Sequence, residues 1–419
     1  MQVETHPRFK NTTEHSRASF GRYYTKPEVG QFLVDLMLSR KPQNLIDLGA
    51  GGGALALAAA KCWSNLNLLT IDVDASSGKR IAKLIANEEI GHHNHLRTDA
   101  LGPGLAKLVQ TKFGEFDAAV CNPPFTTPVW RKGFDEILED SGFSGCMPVL
   151  ADADSALLFL AQALRLIGNG STLGIILPDS LVSGFKYQRF RHELLCRYQV
   201  EAVVRLPENS FLHTQALAHI LIIRKGCGPS ELVPLRKIVQ GELSPTVNLV
   251  DVKQATKRLD FDYHACEQST RPASSRGSIC VLGDIATEVR RGCVQATAAR
   301  QAGLPVFHTT SMIDPLVGRW LDLETHPRLL SEAKVCAQAG DILLARVGRN
   351  LERKVLGVRS GEAVLTDCVY RIRVPSVVAE HLLAQLSSDH GRAWLASRAY
   401  GVGAKQLSLR DLLTFPIAM

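Results

Sequence analysis

Residues 44–62 read NLIDLGAGGGALALAAAKC. Asn44–Leu48 is a short apolar run carrying one carboxylate, Asp47, and it reads as a strand. Gly49–Gly53, glycine at every position but Ala50, follows directly. Glycine lets the main chain turn sharply and lets a ligand approach the backbone closely. Ala54–Cys62 is alanine-rich and reads as a helix. A strand, a glycine turn and a helix in immediate succession make one unit of an alternating α/β chain.

The alternation continues on both sides. Pro27–Leu38 carries Val29, Phe32, Leu33, Leu36 and Met37 at helical spacing, with Pro27 suited to a first turn and Thr25 to its cap. Leu68–Val73, Phe116–Val120, Leu173–Leu177, Val200–Arg205 and Ala218–Arg224 read as strands. Gly78–Asn87, Ser155–Ile167 and Tyr187–Cys196 read as helices. The pattern predicts a mostly parallel sheet with helices on both faces. Such sheets bind ligands beyond the carboxyl ends of their strands, where Gly49–Gly53 and Asn122–Phe125 both fall.

The chain has 419 residues, 45% hydrophobic and 21% charged, enough for two or three ordinary globular domains. Residues 1–20 read as a polar tail and 21–226 as the α/β domain. Residues 227–278 read as an irregular connection with a Ser/Arg/Pro-rich linker at Ser269–Ser278, and 279–419 as a smaller α+β unit. In that unit Asp341–Arg346 and Val364–Val374 look strand-like and Val378–Leu386 and Ala393–Ala399 helical. Net charge is +7, mostly carried by the C-terminal part, which permits a polyanionic partner without demanding one. No apolar stretch is long enough to span a bilayer, and the N-terminus carries no signal-like apolar segment. Ten cysteines form no CxxC pair, which argues against a zinc knuckle or a disulfide framework and for a reducing cytoplasm.

The glycine turn alone fits a tight strand–helix connection as well as a nucleoside site. Its acidic companions decide. No Lys-Ser/Thr follows the glycines, which argues against a phosphate-cradling loop. Asp72, with Asp74 as the lesser rival, ends the next strand, where a carboxylate can accept ribose hydroxyls. Asp99 can accept from an adenine amino group, and Asp47 can face an ammonium group. Three carboxylates without a phosphate-binding lysine suit a cationic, phosphate-free cofactor, and S-adenosylmethionine fits. NAD fits less well.

Phe116-Asp117-Ala118-Ala119-Val120-Cys121-Asn122-Pro123-Pro124-Phe125 is the most informative stretch. Two prolines stiffen the backbone and remove two donors. The Asn122 side-chain oxygen and the Pro123 carbonyl can then grip an –NH2 group, while Phe125 offers a flat face for a planar ring.

With these motifs in order, the chain resembles the S-adenosylmethionine-dependent amino-methyltransferases. Among them it is similar to the gamma-group DNA adenine-N6 methyltransferases, including the modification subunits of Type I restriction systems. The likeness covers about residues 20–226. Gly21-Arg22-Tyr23-Tyr24-Thr25-Lys26-Pro27 matches the family's N-terminal cofactor motif, with Tyr24 and Thr25 as contacts. Asp47, Gly49, Gly51, Asp72, Asp99 and Asn122 match its later cofactor positions, and Asn122, Pro123, Pro124 and Phe125 its catalytic loop. Leu206–Phe211 matches the late motif, with Phe211 as a second aromatic wall around a flipped base. Leu48-Gly49-Ala50-Gly51 stands where the group usually has a Pro-Ala-Cys-Gly type of turn, and Phe125 where tyrosine is more frequent.

The resemblance implies a Rossmann-like seven-stranded methyltransferase sheet and direct in-line transfer to adenine N6 of a flipped-out base in double-stranded DNA. A cognate restriction endonuclease or specificity subunit is the implied protein partner. Ala339–Gly348, Val364–Asp367 and Gln406–Pro416 resemble motifs of Type I specificity-subunit target-recognition domains. There Arg346, Arg349, Arg353 and Lys354 are the expected phosphate or base contacts. Methylation of guanine N2 in RNA or of a protein glutamine amide stays open as an alternative. So does a DNA-recognition subunit that needs a partner for activity.

Asp341 with Glu352-Arg353-Lys354 loosely matches a metal-nuclease pattern, and the recognition-domain likeness accounts for Asp341 better. Gly91-His92-His93-Asn94-His95 reads as a solvated loop rather than a metal site, and Cys121 as packing.

Overall fold

The computed structural model describes residues 25–211, 216–270, 279–313, 317–326, 335–401 and 403–418. The chain divides into two compact units between Phe261 and Asp262.

The first unit is built on a ten-stranded sheet. Its strands are β1 (Asn44–Leu48), β2 (Asn67–Asp72), β3 (His92–Arg97), β4 (Phe116–Cys121), β5 (Ile167–Pro178), β6 (Gln199–Arg205), β7 (Ala218–Arg224), β8 (Leu232–Val239), β9 (Glu242–Leu243) and β10 (Asn248–Asp251). The spatial order is β10-β8-β6-β7-β5-β4-β1-β2-β3, with β9 paired to β8. β1 to β5 run parallel, and β7 is antiparallel between β5 and β6. This is the alternating α/β sheet expected from the sequence, in a Rossmann-like arrangement.

Burial explains the central strands. β1, β4 and β7 each carry at least four buried residues, as near-continuous apolar runs do when a sheet is covered on both faces. The helix Ser155–Leu166 is buried at every position but Arg165 and packs on β4 and β5. Each such Leu or Phe removed from water contributes roughly 1.5–3 kcal/mol. The Pro27–Asp35 helix buries Val29, Leu33 and Val34, and its proline sits at the first helical position. Its cap is Lys26 without a side-chain bond, and not Thr25.

Two readings are corrected. Residues 227–278 are not an irregular connection throughout: β8, β9 and β10 extend the sheet beyond seven strands, and residues up to Phe261 fold with the first unit. β8 is half-exposed and contains Pro234, which faces Leu249 of β10 in the register. Proline inside a run argues against a strand in sequence, yet it is tolerated near a sheet edge. His92–His95 is not a loop either. It begins edge strand β3, whose polar residues alternate between exposed and half-buried. There His93 Nε2 and His95 Nδ1 both lie 2.9 Å from the Thr70 hydroxyl.

The second unit is α+β. Its five-stranded sheet orders Glu288–Arg291, Val369–Arg373, Ile342–Ala345, Val355–Ser360 and Trp320–Asp322. Helices Ser376–Ser387 and Asp389–Arg398 cover a core that includes Leu382, Leu386 and Trp394. Ile279–Val281 pairs antiparallel with Pro416–Ala418, so the two ends of this segment meet and close the unit. No described helix is long and apolar enough to cross a membrane.

Candidate active site

β1 and β2 deliver the glycine loop and its acids to one cavity of about 660 Å3 at the carboxyl ends of the strands. Gly49 and Ala50 both donate to the Ile71 carbonyl at 2.9 Å, which fastens the loop to the end of β2. Gly49 has φ +77°, and a Cβ there would stand 3.0 Å from the Phe159 ring. Gly53 has φ +86°, and its Cβ would stand 2.8 Å from Ile81. Side chains at either position would strain the turn and meet packed apolar groups.

Asp47, Asp72 and Asp99 all line this cavity. Asp47 is 1% exposed, and neither carboxylate oxygen has a hydrogen-bond partner of sound geometry among the described residues. Burial first, and the neighbouring Asp72 charge second, push its pKa up to about 8; the Ala56 backbone N–H offsets this only in part. Asp72 accepts from the backbone N–H groups of Gly51 (2.7 Å) and Asp74 (2.8 Å). Asp74, the rival to Asp72, does not line the cavity. It holds its own turn through Ser76 and Arg80. Asp99 accepts from the Leu101 N–H at 2.9 Å and forms an ion pair with Arg131.

Asn122, Pro123 and Pro124 stand at the same cavity. Asn122 Nδ2 donates to Thr25 Oγ1 at 2.6 Å, an orientation that makes Oδ1 the acceptor for anything arriving from the other side. Thr25 also lines the cavity, and its backbone pairs with Phe211 in an isolated antiparallel bridge. The N-terminal segment thus ties the Asn-Pro-Pro loop to the β6–β7 connection. Tyr24 lies outside the described residues. Cys121 is buried against the Leu48 carbonyl, and burial followed by the Asp47 charge pushes its thiol well above the ordinary range, so it acts as packing.

Phe125 and Phe211 meet, but not as two parallel walls. Their centroids are 5.8 Å apart at 83°, and Phe211 is 2% exposed. A base stacked between two rings needs about 7 Å and parallel planes. In this structure the two rings pack edge-on, with no slot between them for a planar ring.

Sequence reasoning missed three neighbours. Val73 (47% exposed) and Phe159 line the cavity, and Arg131 pairs with Asp99. Only Val73 had a signal, its place directly after Asp72. The other two are long-range contacts.

Among the described residues, Asp179, His219 and Asp260 form a buried group close enough to share an ion. Arg205 lies 2.5 Å from Asp260, and His219 Nε2 lies 3.1 Å from the same oxygen. The Arg205 guanidinium thus supplies Asp260 with the positive charge an ion would bring.

In the second unit Arg349 and Arg353 are exposed. Arg346 donates to the Asp367 carbonyl (2.6 Å) and Lys354 to the Thr309 carbonyl (2.9 Å), so both brace loops and are half-buried. Asp341 is 1% exposed and accepts from Arg373 Nε (2.7 Å) and Nη2 (3.2 Å) and from the Gln338 N–H (2.8 Å). It is an anchor for the sheet rather than an open metal ligand.

A profile of the N-6 DNA Methylase family matches residues 9–233, more than half of the chain. The chain belongs to this family. The chain is similar to the Type I restriction enzyme MpnII methylase subunit of Mycoplasma pneumoniae, 21% identical over 225 residues. That alignment covers 51% of this chain and 41% of the relative. A tRNA1(Val) (adenine(37)-N6)-methyltransferase of Flavobacterium psychrophilum is 26% identical over 34% of this chain and 55% of its own length. The chain therefore spans about half the length of these curated relatives. Among solved structures, the type IIG restriction endonuclease BpuSI aligns with 97% of this chain and 60% of its own, at TM-score 0.52 and 12% identity. At that identity the likeness shows the fold.

Proposed function

We propose that the protein is an S-adenosylmethionine-dependent methyltransferase acting on adenine N6 in double-stranded DNA, within a restriction-modification or related system. One observation carries the reading. A buried carboxylate without a sound partner faces a cavity that also holds the Asn122-Pro123-Pro124 loop. An uncompensated buried carboxylate calls for a cation, and S-adenosylmethionine carries an ammonium and a sulfonium without phosphates. Asp47 and Thr25 would hold its amino-acid end, Asp72 its ribose and Asp99 its adenine amino group. When bound, the cofactor supplies an electrophilic methyl group.

The protein's own part is orientation. Asn122 Oδ1 and the Pro123 carbonyl accept the two N6 hydrogens of the target base, which raises electron density on the nitrogen and aims its lone pair. Proline at 123 and 124 keeps the cradle from relaxing. Phe125 stacks on the base, and Phe211 swings out of its edge-on contact to complete the slot. The excess proton leaves to water after transfer, so no buried base is needed. Arg349 and Arg353 of the second unit are the candidate duplex contacts, and a specificity subunit or endonuclease is the candidate protein partner.

The test is methyl transfer from labelled S-adenosylmethionine to duplex DNA, read as N6-methyladenine after nuclease digestion. Label found only in RNA or protein, or no label with intact cofactor binding, overturns the reading.

A further inference from the structure

The loop Thr126–Gly133 leaves the base cradle and leads into the helix Phe134–Asp140. It is pinned at both ends. The Thr126 carbonyl accepts from the Ser155 N–H at 2.8 Å, and the Thr127 hydroxyl donates to Asp154 at 3.3 Å. At the far end Arg131 pairs with Asp99 and lies 4.9 Å over the Phe134 ring, while Trp130 stands edge-on to the same ring at 5.5 Å. Between these anchors sits Val129, preceded by Pro128 and 90% exposed, the highest value among the large hydrophobic residues described. No side chain of the loop lines the cofactor cavity.

An exposed valine alone is ordinary. Here it crowns a braced loop four residues from Phe125, with exposed Arg131 and Lys132 following it. Flipping a base leaves a gap in the stack, and proteins that distort DNA commonly fill such gaps with apolar wedges. Valine is stiff at χ1, so inserting it loses little side-chain entropy. The adjacent Lys132 can neutralise a phosphate that flanks the gap.

We propose that Val129 is a wedge: it enters the duplex where the target adenine has left and holds the stack open, a role that rests on the DNA-methylating reading above. The partner is thus an unstacked step of paired DNA, with the target base in the cradle beside it.

The full-length protein is assayed on short duplexes centred on an adenine that it modifies in plasmid DNA. One duplex is fully paired, and one places an abasic position opposite the target. Val129→Gly is expected to lower kcat/KM roughly tenfold on paired DNA and by less than about twofold on the abasic duplex, where opening is already favoured. Val129→Leu should restore the paired-duplex rate, with donor Kd unchanged in both variants. Equal losses on the two duplexes, no loss on either, or a matching rise in donor Kd (a lid over the cofactor) overturn the wedge. So does a duplex-selective loss in Phe185→Ala, another exposed apolar residue, without one in Val129→Gly. If the unsubstituted protein transfers no methyl to any DNA, the functional reading fails instead.

Discussion

Two aspartates, one in each unit, are buried to the same 1% and have opposite surroundings. Asp341 in the second unit is complete: Arg373 supplies two N–H donors and the Gln338 backbone a third. Asp47 in the first unit is incomplete, and burial leaves its pKa near 8. A protein of ordinary stability carries few such deficits, because a buried carboxyl group without partners is costly even when it stays protonated, and more so when ionised. Where one persists on the wall of a cavity, the missing partner is a ligand. Completed polar groups build the scaffold; incomplete ones mark the site.

The contrast is broken most directly by substituting one group of each kind. Asn122→Ala leaves the fold intact and should lower methyl transfer by roughly 10²–10³-fold or more, the usual scale for removing one preorganised contact to the reacting group. Donor Kd should change little, measured by calorimetry beside the rate. Asp341→Ala should do the reverse. It strands the Arg373 guanidinium beside Glu288 with one fewer carboxylate. Because Arg373 is partly exposed and keeps Glu288, the loss is about 1–3 kcal/mol. Thermal unfolding should show the second unit melting earlier, while donor affinity of the first unit persists below that transition. If Asp341→Ala instead abolished binding and left the melting curve alone, Asp341 would be a ligand-binding group and not a scaffold anchor.

Asp47 sharpens the comparison through pH. Its carboxyl group in the folded chain titrates near 8 against an ordinary value of 3.8. A raised folded-state pKa means the folded state holds the proton more tightly. The stability contributed by this group is therefore full below about pH 3.8 and is lost progressively as pH rises to about 8. A cationic ligand favours the ionised form, so binding below pH 8 releases a proton. Affinity should rise about tenfold per pH unit at most up to neutrality and pass through a maximum near pH 8, above which the donor's own ammonium, ordinarily about 7.7–8.0, loses its proton. Titration calorimetry in two buffers of different ionisation enthalpy reads the released proton. Asp47→Asn should flatten the profile, weaken binding, and raise Tm by roughly 2–4 °C per kcal/mol relieved. A variant that bound the donor as well as the parent would remove Asp47 from the site.

The same physics explains what could be read from sequence. Asp47, the glycine turn, Asp72 and the Asn-Pro-Pro-Phe loop were legible because short-range geometry fixes them: strand end, positive φ, rigid proline. The mostly parallel α/β sheet followed from alternation, but its strand order did not. β8–β10 were not legible, because half-exposed edge strands carry polar residues and a proline. Phe159 against Gly49, and Phe211 edge-on to Phe125, arise only when distant segments meet, and local pattern holds no trace of them. The fate of each charge was hidden for the same reason. Nothing in Gly340-Asp341 tells that Arg373 waits to complete it.

The smallest expected effect tests the boundary case. Asp99 lies between the two classes: it lines the cavity, yet Arg131 already pairs with it, and both side chains are nearly half exposed (42% and 46%). Exposed ion pairs contribute about 0–1 kcal/mol, so Arg131→Gln should shift stability by no more than that. It should also release one Asp99 oxygen for an adenine amino group, and donor KM should fall by about twofold, since one neutral hydrogen bond in partial competition is worth well under 1.4 kcal/mol. A rise in donor KM of about tenfold would mean that Arg131 touches the donor itself, because a screened pair cannot supply that much energy. Asp99 would then belong with the completed groups, and the adenine subsite would have to be rebuilt around the arginine.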